Sequence, residues 1–272
     1  MLSEIAENDA TGEIAAIFAD VRHLWGVPYV SAIQRHLATR PGVLEWAWEA
    51  VGPAFGSGTA QQAAWQAGGD LAVTPLPPLS RAALAVWNVD DEGLATIRAT
   101  AEGFVRVAPV NMMFAALVKR LLSGDRPGGT VTAHSWSPPA PLPAPPPMVH
   151  LDTVAPPLRE ALLAFATYRD GAPFVPGLYR MLAHWPAFLA HLAIVLPPRL
   201  ADPQIATAFD TIRVRIDAAA PAVLATLPAT PTRHPMPDEQ ERQHFFRIGE
   251  IYRKTSPELI VLGRLVAGAL PA

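Results

Sequence analysis

The proline-rich segment in the middle of the chain constrains the fold more than any other feature. Residues 137–148 contain seven prolines. Because proline lacks an amide donor and fixes its own φ angle, neither a helix interior nor a central strand is expected there. The sequence therefore predicts an extended linker over residues 125–157, which joins a first helical repeat, residues 1–124, to a second, residues 158–272.

Helical periodicity dominates on both sides of the linker. Over residues 12–25 the apolar side chains recur at intervals of three and four, and Gly26 follows as a left-handed stop. Similar patterns predict helices at residues 30–38, 43–51, 59–67, 80–87, 90–107 and 110–122, the last two separated by Pro109. After the linker they predict helices from residue 158 and at 186–195, 203–219, 238–252 and 257–270, with Ser256 capping the last. No segment alternates as a strand does, so we predict an all-α fold.

The two helical regions match each other at a fixed spacing. Four matches lie 148 residues apart, namely Val27-Pro28 with Val175-Pro176, Phe104 with Tyr252, Arg106 with Lys254 and Pro109 with Pro257. A duplicated domain explains this shared spacing, and chance matching in a chain rich in alanine, leucine and proline is the alternative. Two such pseudo-symmetric repeats can pack face to face, which predicts a ligand cavity between them.

The composition excludes several classes of protein. Without cysteine there is no disulfide, zinc–thiolate cluster or thiol nucleophile. A formal net charge of −3 gives no electrostatic reason to expect nucleic acid or a membrane surface as partner. The acidic first residues and the lack of an apolar run of about 20 residues indicate a cytoplasmic protein. No phosphate-binding loop, dinucleotide fingerprint or His-Glu-x-x-His pattern is present, so we predict no cofactor and no metal.

Six stretches of the chain carry a family resemblance. They are Thr11-Gly-Glu-Ile, Val27-Pro-Tyr-Val, Leu37-Ala-Thr-Arg-Pro-Gly-Val-Leu, Asp90-Asp91 leading to Pro109, Arg126-Pro-Gly-Gly and Leu182-Ala-His-Trp-Pro. In this order they resemble the cofactor-independent group I 2-haloacid dehalogenases. The resemblance implies two all-helical pseudo-repeats with the active site between them. It also implies that a carboxylate and an amide position a water, which attacks the halogen-bearing carbon directly.

The sequence departs from this family at the implied catalytic positions. The aspartate position falls at Leu178, and a leucine cannot accept a proton. With Pro109 as the anchor, the asparagine position falls at Ala108. Asp170 and Tyr179 are the alternative bases, although Asp170 is most simply a turn residue and Tyr179 a core residue.

The resemblance also implies a set of pocket residues. Tyr29 and Ala32 take the places of a tryptophan and a phenylalanine. Asn111 takes the place of a pocket tyrosine, and a three-residue shift would instead make Asn111 the amide and Phe114 the aromatic. As a simpler role, Asn111 could cap a helix that restarts after Pro109. The predicted pocket therefore comprises Tyr29, Ala32, Ala108, Asn111, Phe114, Leu178 and Tyr179.

Three functions follow as expectations. The first is a haloacid-dehalogenase-like protein that binds a small carboxylic acid and, if it is catalytic, hydrolyses the carbon–halide bond. The second is a non-catalytic binding protein for a small apolar acid, because leucine and alanine at the catalytic positions make a pocket more apolar. The third is a helical interaction module, which would expose a large apolar patch. The sequence leaves open whether the chain forms a homodimer.

Overall fold

The computed structural model of the protein describes residues 3–129, 136–169, 171–229 and 232–272. Within these ranges the chain is mostly helical. Before the proline-rich segment, which is the first part of the chain, the helices are α1 Gly12–Trp25, α2 Ala32–Leu37, α3 Val43–Gly56, α4 Thr59–Ala67, α5 Arg81–Val86 and α6 Asp91–Leu122. Those of the second part are α7 Pro156–Leu163, α8 Gly177–Leu182, α9 Pro186–Leu200, α10 Pro203–Ala225 and α11 Glu239–Ala269. A short 3₁₀ turn, Glu7–Asp9, precedes α1.

Helix α1 has the predicted bounds because its signals are local. Its buried side chains, including Phe18 and Trp25, lie on one face of the helix. Gly26 adopts the left-handed conformation with φ 61°, and its amide donates to the last carbonyls of α1. Glycine is required there, since a Cβ atom would lie 2.6 Å from the carbonyl oxygen of Pro139.

The predicted helix breaks at Pro109 and Pro257 are wrong. Both prolines lie inside continuous helices, α6 and α11. An internal proline removes one hydrogen bond and costs about 3 kcal/mol, which burial of its neighbours can offset. Val110 is fully buried beside Pro109, and Ser256, predicted as an N-cap, is a buried residue in the middle of α11.

The expectation that the chain holds no strand is also wrong. Strand β1, Thr167–Arg169, pairs antiparallel with β2, Ala172–Phe174, in a register that places Thr167 opposite Phe174. Each strand is only three residues long, so no alternating pattern can be read from the sequence. Gly171 supplies the positive φ of 78° at the turn.

The chain divides into two compact units, and each draws on both halves of the sequence. Unit 1 comprises residues 1–71, 106–142 and 210–257, and unit 2 comprises residues 72–105, 143–209 and 258–272. These boundaries differ from those predicted at residues 124 and 158, because the long helices α6 and α11 each contribute one end to each unit.

The core of unit 1 is built around aromatic rings. Helix α3 packs on α1, α2 and α4. The Phe55 ring lies 6.0 Å from that of Trp25, 5.9 Å from that of Trp48 and 6.2 Å from that of Phe114, measured between centroids. Such tilted and stacked pairs add to the energy of apolar burial.

The core of unit 2 centres on α9, which packs on α7 and α8. Trp87 stacks on His191 with 4.8 Å between ring centroids and also contacts Phe188. An almost wholly apolar cavity of ≈ 60 Å³ lies beside these residues, and Phe188, His191, Leu192 and Val266 are among its lining. Burial lowers the pKa of His191, so its ring is neutral at pH 7 and suits this apolar surrounding.

Helix α6 is long and apolar enough to cross a membrane by length and composition alone. In the described part of the chain it is the one helix that passes this test, and 72% of its most apolar stretch is buried inside the protein. This burial is expected for a core helix of a soluble protein.

Helix α5 provides a local test of the fold. The Ser80 hydroxyl accepts a hydrogen bond from the Ala83 amide at 3.1 Å, which makes Ser80 the N-cap of α5. We expect Ser80→Ala to lower the free energy of unfolding by about 0.5–2 kcal/mol, because one amide loses its acceptor. Chemical denaturation measures this change. The control is Ser31→Ala, since Ser31 caps α2 without a side-chain hydrogen bond. Equal losses in both variants would contradict the capping role of Ser80.

Candidate functional site

The predicted site residues are distributed over both units. Tyr29, Ala32, Ala108, Asn111 and Phe114 belong to unit 1, and Leu178 and Tyr179 belong to unit 2. Asp170, the predicted alternative base, lies outside the residues that the structure describes.

Asn111 forms a buried amide pair with Gln34. The Gln34 Nε2 atom donates to Asn111 Oδ1 at 3.2 Å, and the two side chains are 0% and 6% exposed. The Oε1 atom of Gln34 is also buried and has no hydrogen-bond partner. A buried acceptor without a donor is costly, so this oxygen is suited to accept a hydrogen bond from a water or a ligand hydroxyl.

Two other predicted residues flank Asn111 on α6. Ala108 and Phe114 lie three residues before and after it, so each is about 60° away round the helix axis. Ala108 is buried and offers no polar group, whereas Phe114 is fully buried and packs on Phe55. Of these three positions, only Asn111 can take part in polar chemistry.

Tyr29 lies just before α2, which begins at Ala32. Burial raises the pKa of Tyr29 above its ordinary value, although the positive charge of Arg106 acts in the opposite direction. The hydroxyl therefore stays protonated and can donate a hydrogen bond to an anion. Arg106 itself donates to the carbonyl oxygens of Gly26 and Ala140 at 2.7 and 2.8 Å.

One of the two predicted residues in unit 2 contacts a carboxyl group that the sequence analysis did not name. Leu178 is fully buried, so an aliphatic side chain occupies the expected aspartate position. Tyr179 is also fully buried and stacks on Phe165 with 3.9 Å between ring centroids. Its hydroxyl donates to Glu258 Oε1 at 3.3 Å. Burial raises the pKa of Glu258 above its ordinary value, and the Tyr179 hydrogen bond partly offsets this rise.

A cluster of charged groups elsewhere in unit 1 has the spacing of a metal site. The potential ligand atoms of Glu13, Glu49 and His234 lie within 4.8 Å of one another. However, Arg233 donates to Glu13 at 2.7 Å and to Glu49 at 2.6 Å. Burial acts to raise the pKa of Glu49, but the hydrogen bonds from His234 and Arg233 outweigh it and hold that pKa below its ordinary value. Because the Arg233 guanidinium already donates to both carboxylates, we interpret the cluster as an ion-pair contact.

Two histidines in unit 1 share one hydrogen bond. The Nε2 atoms of His36 and His244 lie 2.8 Å apart, and His36 Nδ1 lies 2.7 Å from the carbonyl oxygen of Ser3. A carbonyl only accepts, so His36 Nδ1 donates to it, and His36 Nε2 accepts from His244 Nε2. Burial lowers the pKa of His244, and the nearby His36 and Arg40 lower it further.

This pair predicts a loss of stability in acid. Since the pKa of His244 is lower in the folded chain than the unfolded value of about 6.5, the unfolded chain binds more protons as the pH falls below that value. We expect the free energy of unfolding contributed by His244 to be complete above pH 6.5 and to decline below it. Denaturation of the wild type between pH 5 and 8 should show this slope, and His244→Gln should reduce it. The exposed His150→Gln variant is the control, and an unchanged slope in His244→Gln would contradict the assignment.

Sequence reasoning missed Gln34, Arg106 as a neighbour of Tyr29, and Glu258. Gln34 is a polar residue on a short helix whose other buried members include Ile33 and Leu37, which is a weak signal. Glu258 directly follows Pro257, where an acidic residue looks like an ordinary first-turn residue of a new helix. The sequence match of Arg106 with Lys254 indicated two corresponding cations, but it did not indicate which residues they contact.

Comparison with solved structures finds the same fold in D-2-haloacid dehalogenases. A mutant in complex with D-2-CPA aligns with a TM-score of 0.73 and 19% identity over 99% of this chain and 96% of that chain. The enzyme in complex with L-LA aligns with a TM-score of 0.71 and 20% identity, over 99% of this chain and 96% of that chain. A further mutant aligns with a TM-score of 0.67 and 20% identity, over 99% of this chain and 95% of that chain. Neither the protein-family models nor the curated protein sequences give a match. The protein therefore has a 2-haloacid dehalogenase-like fold.

Proposed function

We propose that the protein binds a small 2-halocarboxylic acid and hydrolyses its carbon–halogen bond without a cofactor. The observation that carries this proposal is the fold, which matches D-2-haloacid dehalogenases over 99% of the chain. Those structures include complexes with D-2-CPA and L-LA, which makes short 2-substituted acids the first ligands to examine. The proposal includes a cytoplasmic location.

The helix positions support two pseudo-symmetric repeats. Helices α6 and α11 begin 148 residues apart, and Pro109 and Pro257 are each the nineteenth residue of their helix. Helices α2 and α8 are both six residues long and begin 145 residues apart. The first spacing equals that of the four sequence matches, and the second also separates Leu37-Ala38 from Leu182-Ala183. We therefore take the duplicated domain, joined through the proline-rich segment, as part of the proposal.

The polar contacts support the same pairing of helices. The third residue of α2, Gln34, contacts Asn111 shortly after the internal proline of α6. The third residue of α8, Tyr179, contacts Glu258 directly after the internal proline of α11. Glu258 lies one position before the residue that corresponds to Asn111 at the 148-residue spacing, so neighbouring but not equivalent places hold an amide pair in unit 1 and a phenol–carboxyl pair in unit 2.

The buried amide pair favours Asn111 over Ala108 as the functional position. Asn111 carries a hydrogen-bonding side chain, whereas the buried Ala108 has none. This supports the alignment shifted by three residues, in which Asn111 is the amide and Phe114 the aromatic. Tyr29 can donate to the substrate carboxylate, with Arg106 as the nearby cation.

The test is halide release from the two enantiomers of 2-chloropropionate. We expect release of chloride from at least one enantiomer, with inversion at C2, in buffer that contains a chelator and no added cofactor. Asp170→Asn, made in parallel, tests the alternative base and should retain activity. Absence of chloride release at high protein concentration would contradict the proposed hydrolysis.

A second candidate function is supported by two buried apolar residues. Leu178 and Ala108 occupy the implied catalytic positions, and an apolar site suits non-catalytic binding of a small apolar acid. In that case a thermal-shift screen of short-chain acids would show saturable stabilisation without turnover. The interaction module and the homodimer remain predictions, which sedimentation analysis of the purified chain would test.

A further inference from the structure

The partly buried carboxyl group of Glu258 meets a neutral partner, whereas two other acids in the chain meet arginines. Glu7 pairs with Arg22 at 2.8 Å, and Glu49 pairs with Arg233 at 2.6 Å. Glu258 instead meets the Tyr179 hydroxyl, and no cation contacts it in the described parts of the chain. Removing a carboxylate from water without a cation is costly, so a structural explanation for Glu258 is weak.

Tyr179 holds one oxygen of this carboxyl group in place. The tyrosine ring is fixed by full burial and by its stack on Phe165, whose planes differ by only 8°. Burial and the neighbouring Glu258 raise the pKa of Tyr179 well above its ordinary value, so the hydroxyl remains a donor. The hydrogen bond engages Oε1 of Glu258.

The position of this pair in the chain connects it with the proposed hydrolysis. Tyr179 follows Leu178, where the family resemblance implies the water-activating acid, and Leu178 has no proton acceptor. The pair also lies close to the place in α8 and α11 that the amide pair occupies in α2 and α6, with Glu258 one residue before the counterpart of Asn111. A carboxyl group therefore contacts the residue that follows the implied position, although it comes from a different helix.

We infer that Glu258 is the catalytic base that takes a proton from the attacking water, with Tyr179 as its positioning residue. This inference rests on the proposed hydrolysis. As the water oxygen forms a bond to C2 of the 2-haloacid, the carbon–halogen bond breaks and the halide leaves with the bonding electron pair. One water proton passes to the Glu258 carboxylate and is later released to solvent. The products are a 2-hydroxy acid, a halide ion and a proton.

The electrostatics of Glu258 suit this role. A general base is most effective when its pKa lies near the working pH, and burial raises the pKa of Glu258 in that direction. The hydrogen bond from the Tyr179 hydroxyl opposes this rise in the pKa of Glu258. In the described residues, Tyr179 is the one titratable group that contacts Glu258.

The test compares two isosteric substitutions on α11. Glu258→Gln should reduce chloride release from 2-chloropropionate by about 10²–10⁴-fold, because glutamine cannot accept the proton. Glu250→Gln is the matched control, since Glu250 lies on the same helix and forms a loose contact with Lys254 at 3.9 Å. The control should keep wild-type activity, and both variants should keep the circular dichroism spectrum of the wild type.

The Tyr179→Phe variant allows a measurement, the pH profile of kcat/KM, that a purely structural role of Tyr179 would leave unchanged. Loss of the hydroxyl removes the bond that lowers the pKa of Glu258, so the acidic limb of the kcat/KM profile should shift to higher pH. The proposed hydrolysis fails if the wild type releases no chloride, and the assignment of Glu258 then fails with it. If the wild type is active and a folded Glu258→Gln variant releases chloride at the same rate, only the assignment of Glu258 is overturned.

Discussion

Replacing Phe55 by alanine is expected to lower the free energy of unfolding by about 3–5 kcal/mol. Phe55 is fully buried on α3, and its ring contacts those of Trp25, Trp48 and Phe114. Truncation removes the apolar contact area and leaves a cavity that the surrounding helices can fill only in part. It also removes the support of Phe114, which lies one helical turn from Asn111. Urea denaturation of the purified variant measures the loss.

The control for this prediction is Val86→Ala. Val86 is also apolar but 80% exposed, so its truncation should change stability by no more than about 0.5 kcal/mol. Similar losses in the two variants would contradict the aromatic core described for unit 1. We also expect Phe55→Ala to reduce any halide release more than Val86→Ala does, because the amide pair depends on the same helix packing.

The amide pair predicts opposite effects for single and double substitutions. Asn111→Leu should cost about 1–3 kcal/mol, because the buried Gln34 amide then loses its remaining partner. The combination of Gln34→Met with Asn111→Leu should restore stability to about that of the wild type, since no buried polar group is left unpaired. Denaturation of the four proteins in this double-mutant cycle gives the coupling energy directly.

The same cycle separates a structural role of the pair from a functional one. If the amides hold the attacking water, the stable double variant should still lose chloride release by about 10²-fold or more, as after removal of a preorganised hydrogen-bond donor. A double variant that is stable and fully active would show that the pair serves packing alone. A double variant as unstable as Asn111→Leu would contradict the account of the unpaired Gln34 oxygen.

Local signals explain which helices could be predicted from sequence. The sequence of α1 shows both its apolar face and the glycine that ends it, Gly26, so the predicted and observed bounds agree. The start of α5 was likewise predicted to within one residue, because it depends locally on Ser80 and the amide three positions later. The 148-residue spacing of the sequence matches also separates the starts of α6 and α11, but this agreement was visible only once the helix bounds were known.

The errors arose where tertiary packing decides the outcome. Pro109 and Pro257 break isolated helices, and burial of their neighbours is not visible in the local sequence. The hairpin of β1 and β2 is too short to show alternation. The contact between His36 and His244 joins residues 208 positions apart, so no local pattern could indicate it.

The sequence indicated some residues of the candidate site and not others, because tertiary contacts decide which side chains meet. The family resemblance placed Asn111 and Tyr179 at or beside the implied catalytic positions, and both have buried polar contacts. It could not supply Glu258, because the implied acid belongs to α8 whereas the observed carboxyl belongs to α11. A carboxyl group on another helix leaves no signal at the position where the family motif is read.

The most direct test of the central claim is a single turnover in ¹⁸O-labelled water with the protein in excess over 2-chloropropionate. If water attacks C2 while Glu258 accepts its proton, mass spectrometry will find one ¹⁸O atom in the hydroxyl group of the first product formed. Product that carries ¹⁶O in that hydroxyl group would mean that a protein carboxylate attacks the carbon and forms an ester. That result, or the absence of any hydroxy acid, would contradict the account.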